Sequence, residues 1–351
     1  MKNNSNYYQE RNIRNLDKIE ELLNELPPFC EDFIRGVEPR TSTLSRLNYV
    51  YDLRIFFDFL SKRKFRGKPS TEITLDDLDR VTDTDIEIFL SYLSNYTFQG
   101  RRLSCNERAK ARKLSTVRSL FKYFFNKGLI EVNNTAKVST PKLHEKEIIR
   151  LESDEVSTLL DTAELGSGLS PHAIGYHDKT KVRDTAILTL FLGTGIRISE
   201  LVGLNDESID FTNNSFIVTR KGGNQQILYF SEEVADALAA YLAQKEGDSR
   251  VPPDEPALFL SLQYRRITVR AVENLVKKYA KIVSPLKKIT PHKLRSTYGT
   301  ALYRETGDIY IVADVLGHKD VNTTRKHYAA IGEEQRRSVA SAVKLHKKDD
   351  T

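Results

Sequence analysis

SIDFTNNSFIVTRKGGNQQILYF, residues 208–230, is where an otherwise helical chain changes its pattern. Residues 208–210, 216–219 and 226–230 are short runs rich in β-branched and aromatic side chains. Asn213-Asn214 and Gly222-Gly223-Asn224 lie between them, and both are turn formers. The stretch predicts a small three-stranded antiparallel sheet with Lys221 at the tip of its second hairpin. Helical patterns flank it on both sides, so the chain reads as mainly α, with mixed α/β character only in its second part.

Upstream, residues 182–192 form an apolar run that predicts a buried helix. A polar, glycine-containing segment, 164–181, precedes it and reads as a long loop. Before that, Ser153 stands as an N-cap with Val156, Leu159 and Leu160 behind it. Residues 133–146 are polar, contain Asn133-Asn134-Thr135 and Pro141, and read as a connection between domains.

The part before it reads as an all-helical bundle. Leu44, Leu47, Val50, Tyr51, Ile55, Phe56, Phe59 and Leu60 fall at helical spacing. Thr82 or Asp83 caps a second helix carrying Ile86, Phe89, Leu90 and Leu93. A third, 109–126, has Leu114, Val117, Leu120, Phe121 and Phe124 as its apolar face, with Gly128 as its stop. A shorter helix over 16–26 ends at Pro27-Pro28. The expected organisation is a helical domain over 1–138, a linker over 139–149 and a second domain over 150–351.

The 351 residues suffice for two domains, each with its own core. Charged residues make up 29% and hydrophobic ones 39%, a soluble globular balance. The net charge of +6 is compatible with a polyanionic partner, and its distribution is more telling. Between Arg101 and Lys127 stand nine basic residues and a single acid, Glu107. Arg108, Lys110, Arg112, Lys113, Arg118 and Lys122 fall on the third helix and are candidate phosphate contacts. Cys30 and Cys105 are the only cysteines and suggest neither a disulfide framework nor a metal site. The polar first fourteen residues and the shortness of every apolar run predict a cytoplasmic protein with no membrane segment.

Several small clusters could carry chemistry. Thr194-Gly195-Ile196-Arg197-Ile198-Ser199-Glu200-Leu201 follows the buried helix. With Thr194 as N-cap, Arg197 enters the first turn of a new helix, where free N–H groups and the dipole favour an anion. Glu200 shares its face. In Thr290-Pro291-His292-Lys293-Leu294-Arg295, Thr290 is the N-cap and Pro291 the first helical residue, which sets His292 and Arg295 at i and i+3. Leu316-Gly317-His318 ends another helix, and the next carries His327 and Tyr328. Taken singly, each has an ordinary reading: a helix ion pair, a surface histidine, a solvated turn lysine, a core tyrosine. The histidines have no spacing diagnostic of zinc, so no metal is expected.

Their order is far more specific. Arg197, Lys221 on a hairpin, His292-x-x-Arg295, Gly317-His318, then a tyrosine ten residues after that histidine, resembles the tyrosine recombinase family. The resemblance covers the whole second domain, and the helical first domain resembles the family's core-binding domain. Val218-Thr219-Arg220-Lys221-Gly222-Gly223 and the N-terminal helix ending in Pro27-Pro28 are most similar to Xer recombinases of the single-protein XerS subtype. Ser296 departs from the pattern, since many relatives carry histidine there.

The resemblance implies a site-specific recombinase with Tyr328 as nucleophile and a 3′-phosphotyrosyl intermediate. It further implies Arg197, Arg295 and His318 on the phosphate oxygens, Lys221 as acid for the leaving oxygen, His292 as proton-transfer aid and Glu200 as orienting residue. No cofactor is implied. The implied partners are a double-stranded DNA site and three further copies in a homotetramer on two duplexes, with a DNA translocase left open. The tail, 333–347, is implied to dock on a neighbouring protomer. A role in chromosome dimer resolution is implied. The alternatives are a mobile-element integrase, a type IB topoisomerase and a catalytically silent DNA-binding protein.

Overall fold

The computed structural model describes residues 4–143, 149–220, 224–317 and residue 321. The contacts divide the chain into two compact units, Ser5–Lys146 and one built chiefly from Glu147 onward.

In the first unit α1 (Asn4–Leu23) and α2 (Phe29–Gly36) precede a long α3 (Thr43–Arg63). Ser42 caps α3 by accepting the Ser45 N–H at 3.2 Å. Two short helices follow, α4 (Leu75–Asp79) and α5 (Asp83–Tyr92). Each starts in a reciprocal box, Thr74 with Asp77 and Thr82 with Asp85. Asn106 caps α6 (Glu107–Asn126) through the Ala109 N–H at 2.9 Å. The expected apolar face of α6 is buried without exception and meets Val50, Leu53, Phe56, Phe57 and Leu60 of α3 in one core. Edge-on ring pairs, Phe56 with Phe89 at 5.1 Å and Phe29 with Phe124 at 5.4 Å, knit it together. Each such side chain removed from water contributes roughly 1.5–3 kcal/mol.

The first unit is not all helix. β1 (Tyr96–Phe98) and β2 (Arg101–Leu103) form a hairpin closed by Gln99 (φ 48°) and Gly100 (φ 74°). Two successive positive φ values match the right-handed twist of paired strands. Strands of three residues are too short for alternation to announce them.

In the second unit α7 (Ser153–Leu165) starts one residue earlier than expected, with Glu152 rather than Ser153 as N-cap. The expected loop over 164–181 is mostly helix: α8 runs Pro171–Thr194, with Ser170 as cap and Pro171 in the first turn. Its first half looks polar because its inward residues are polar and satisfied. His177 Nε2 lies 2.8 Å from the Ala163 carbonyl, and Asp184 accepts from Thr180 (3.0 Å), Arg183 (2.7 Å) and Tyr279 (2.9 Å). The second half, with Ala186, Ile187, Leu188, Leu190 and Phe191 fully buried, is the axis of the unit.

After the short α9 (Ile198–Val202) come β3 (Ile209–Asp210), β4 (Ser215–Thr219) and β5 (Gln225–Tyr229). They form the expected antiparallel sheet in the order β3-β4-β5, with Phe216 opposite Leu228 and Val218 opposite Gln226. Phe216, Val218 and Leu228 point into the core. α10 (Glu232–Glu246), α11 (Val269–Val283), α12 (Pro291–Thr306) and α13 (Ile309–Val315) complete the unit, with α7, α10 and α12 packed on α8. Among the described residues no helix is long and apolar enough to cross a membrane.

Candidate active site

α8 ends at Thr194, whose hydroxyl donates back to the Leu190 carbonyl at 2.6 Å. Gly195 then turns the chain with φ 62°, and a Cβ there would lie 2.5 Å from the ring of Tyr298. Glycine alone is tolerated, and the turn aims the next residues back across the end of α8. Thr194 was expected to cap the next helix. It closes the previous one instead, and Arg197 is itself the N-cap of α9.

Glu200, buried at 4% exposure, ties this start down. Its Oε2 accepts the Arg197 backbone N–H at 3.0 Å and its Oε1 accepts Arg197 Nη1 at 2.9 Å. The other guanidinium nitrogen, Nη2, donates to the carbonyls of Leu316 (3.1 Å) and Gly317 (2.9 Å), just beyond α13.

Thr290 and Pro291 begin α12 as expected, although the Thr290 side chain makes no capping bond. His292 is exposed and Arg295 is buried. Arg295 Nη1 donates to the Gly195 carbonyl at 2.5 Å, and its Nη2 donates to the Leu316 carbonyl. Two guanidinium groups, one from the α8–α9 turn and one from α12, thus meet at a single carbonyl oxygen. The folding of the unit brings Arg197, Glu200 and Arg295 together. Lys221, His318 and Tyr328 lie outside the described residues.

Arg220 stands in the tract that resembles XerS, but sequence reading assigned it no role in the site. It follows β4 directly and is 8% exposed. Its Nη1 donates to both Glu200 oxygens (3.1 and 2.9 Å), Nη2 to the Val315 carbonyl (3.0 Å) and Nε to Gln226 Oε1 (2.9 Å). Burial pulls this guanidinium below the usual arginine range, Glu200 raises it again, and neighbouring Arg197 lowers it. Two guanidinium groups thus share one carboxylate, and a third, that of Arg295, meets Arg197 at the Leu316 carbonyl. Such an excess of fixed positive charge, partly out of water and rich in planar donors, suits a phosphate oxyanion. Among the described residues no group of His, Cys, Asp and Glu could hold a metal ion.

The basic helix of the first unit divides unevenly. Asp52, fully buried, accepts Arg112 at 2.6 and 2.8 Å, Lys113 at 2.8 Å and Thr116 at 3.0 Å. Lys113, expected to reach phosphate, is buried on that carboxylate and cannot. Arg118 turns to the Val138 carbonyl (2.5 Å) and Thr140 Oγ1 (2.7 Å), and Lys110 pairs with Glu107 at 2.8 Å. Arg108, Arg112 and Lys122 are exposed.

Residues 149–335 match the model of the phage integrase family. The tyrosine recombinase XerC of Caldanaerobacter subterraneus subsp. tengcongensis is 36% identical over 85% of this chain and 82% of its own length. The tyrosine recombinase XerS of Lactococcus lactis subsp. cremoris is 29% identical over 95% of this chain and 99% of its own. In fold the chain is similar to the XerH site-specific recombinase bound to palindromic difH substrate, with a TM-score of 0.67 and 18% identity over 93% of this chain and 89% of that one. The Tn1549 transposon integrase in complex with circular intermediate DNA gives 0.60 and 19%, over 85% and 94%. A family model spanning more than half the chain, and close kinship along most of the rest, place this chain in the phage integrase family, as a tyrosine recombinase of Xer type.

Proposed function

We propose that this recombinase acts on a double-stranded DNA site as a homotetramer bridging two duplexes, and that it resolves chromosome dimers in the cytoplasm. In the proposed cleavage step the Tyr328 oxygen attacks the scissile phosphorus. The P–O5′ bond breaks, and a 3′-phosphotyrosyl link replaces it. Lys221 gives its proton to the departing 5′ oxygen, and His292 assists removal of the tyrosine proton. Religation is the reverse, with the 5′ hydroxyl as nucleophile. The bond energy stays in the phosphotyrosine, so no nucleotide is consumed.

The observation that carries this reading is the meeting of Arg197 and Arg295 at the Leu316 carbonyl. Charge gathers on the non-bridging oxygens in a pentavalent transition state, and two convergent forks are the donors that charge requires. Fixed arginines can do electrostatic work that other phosphoryl-transfer sites give to a divalent cation. Glu200 orients Arg197. In the first unit Arg108, Arg112 and Lys122 lie along one exposed face of α6 and are proposed to contact the backbone of the duplex.

A nicked suicide duplex tests the chemistry. The wild-type protein should form a covalent adduct on a denaturing gel, in EDTA as well as in buffer. Tyr328→Phe should bind the site and form none. An adduct persisting in the Phe variant would transfer the nucleophile elsewhere. Mapping the native site, on the chromosome near replication termination or at the ends of a mobile element, separates dimer resolution from element integration.

A further inference from the structure

We infer that Arg220 is a positioning residue for strand cleavage, holding Arg197 in place and leaving the Arg197–Glu200 group with a net positive charge by sharing the Glu200 carboxylate. The inference rests on the proposed role of Arg197 at the phosphate.

Three observations lead to it. First, Arg220 continues the inward alternation of Phe216 and Val218, so its side chain enters the core side of the sheet. Burying a guanidinium there is costly unless it is paired. Second, its partners are not local. Nη1 reaches Glu200 of α9, Nη2 reaches Val315 at the end of α13, and Nε reaches Gln226 of β5. Gln226 in turn donates to the Asp314 carbonyl at 2.8 Å. One side chain therefore ties the sheet, the α9 start and the α13 end together. Gly317, with φ 58°, packs so closely that a Cβ would stand 2.9 Å from Arg220 Nε. Third, the charges matter. Glu200 with Arg197 alone would be a neutral pair, poorly suited to attract a phosphate. A second guanidinium on the same carboxylate leaves the group cationic. It also fixes the carboxylate rotamer, and through it the Arg197 fork.

The test compares cleavage of two suicide duplexes that differ only at the scissile position, one a normal phosphodiester and one a methylphosphonate. The methyl group removes the negative charge that arginine neutralises. It should therefore relieve defects in charge neutralisation and leave other defects as they were. Arg220→Gln should slow adduct formation on the diester by about tenfold or more, short of the roughly 10²–10³ that loss of a direct donor costs. On the methylphosphonate the deficit should largely vanish. Arg220→Lys keeps the charge and loses the fork, and should fall between Gln and wild type. Arg197→Ala serves as the reference and should also be relieved by the methylphosphonate.

An Arg220→Gln deficit that is equal on both substrates, with Arg197→Ala relieved, overturns the inference. An Arg197→Ala deficit that is equal on both overturns the underlying reading instead. If both Arg220 variants lose binding to the site, the role is structural only, and the inference fails.

Discussion

Arg197 and Arg295 donate to the same oxygen, the carbonyl of Leu316, although they stand on different elements. A carbonyl carries only a partial negative charge, so two full cations there are held by geometry more than by neutralisation. That makes the arrangement selective for arginine. Lysine offers a point charge and could satisfy one of the contacts, not the paired fork. Arg197→Lys and Arg295→Lys should each slow covalent adduct formation by roughly 10²–10³ while leaving site binding close to wild type. Single-turnover cleavage beside a gel-shift titration separates the two effects. Equal losses in both assays would make these arginines binding residues only.

Glu200 is the shared counter-ion of Arg197 and Arg220, with its side chain only 3% exposed. Glu200→Gln keeps the shape and removes the charge, leaving two close guanidinium groups with nothing to offset them. Breaking a buried pair in this way costs about 3–5 kcal/mol. For a unit of this size that corresponds to a fall on the order of 10 °C in melting temperature. Calorimetry should detect it, together with slower cleavage. An unchanged melting temperature would show that the cluster is held by packing rather than by the carboxylate.

Which parts could be read from sequence follows from how each part announces itself. The sheet was legible because Asn213-Asn214 and Gly222-Gly223 bracket runs of β-formers, and the α6 core face because Leu114 to Phe124 keep helical spacing. The first half of α8 was not, because His177 and Asp184 face inward and find partners on other elements, with Thr180 donating to Asp184 beside them, which no local apolar pattern reveals. Lys113 looked like a phosphate contact because its partner, Asp52, is remote in sequence. Arg220 did leave a signal: an arginine in phase with Phe216 and Val218 on the buried face of a strand requires an acidic partner somewhere. Glu200, already singled out for orienting Arg197, is that partner.

Two helix starts in the first unit should make it acid-sensitive. Partial burial disfavours ionised Asp77, yet hydrogen bonds from Lys68 and Thr74 hold its carboxyl below the usual range. Asp85 is likewise held down, against burial, by Lys64 and Thr82. A depressed carboxylate binds fewer protons folded than unfolded, so stability should rise with pH through this region. The contribution is complete above the ordinary aspartate value of about 3.9 and fades as pH falls through the folded-state values. Urea midpoints measured from neutral pH down to pH 3 should therefore drop at the acid end. Asp85→Asn should be less stable at neutrality and show a flatter acid profile. A parallel profile for that variant would assign the acid loss to other groups.

Exposure on α6 separates basic residues that could meet a phosphate from one that could not. Arg108 and Lys122 face solvent, whereas Lys113 is buried on Asp52. Each phosphate neutralised releases counterions, and log affinity then falls with log salt by about 0.9 per contact on duplex DNA. Arg108→Ala and Lys122→Ala should each weaken binding to any duplex and reduce that slope by about one. Lys113→Met should leave the slope unchanged and instead lower the stability of the first unit, since Asp52 loses one of its cations. Affinity measured from low to moderate salt for all three variants decides the matter. A reduced slope for Lys113→Met, or unchanged slopes for the other two, would move the duplex to a different face of the helix.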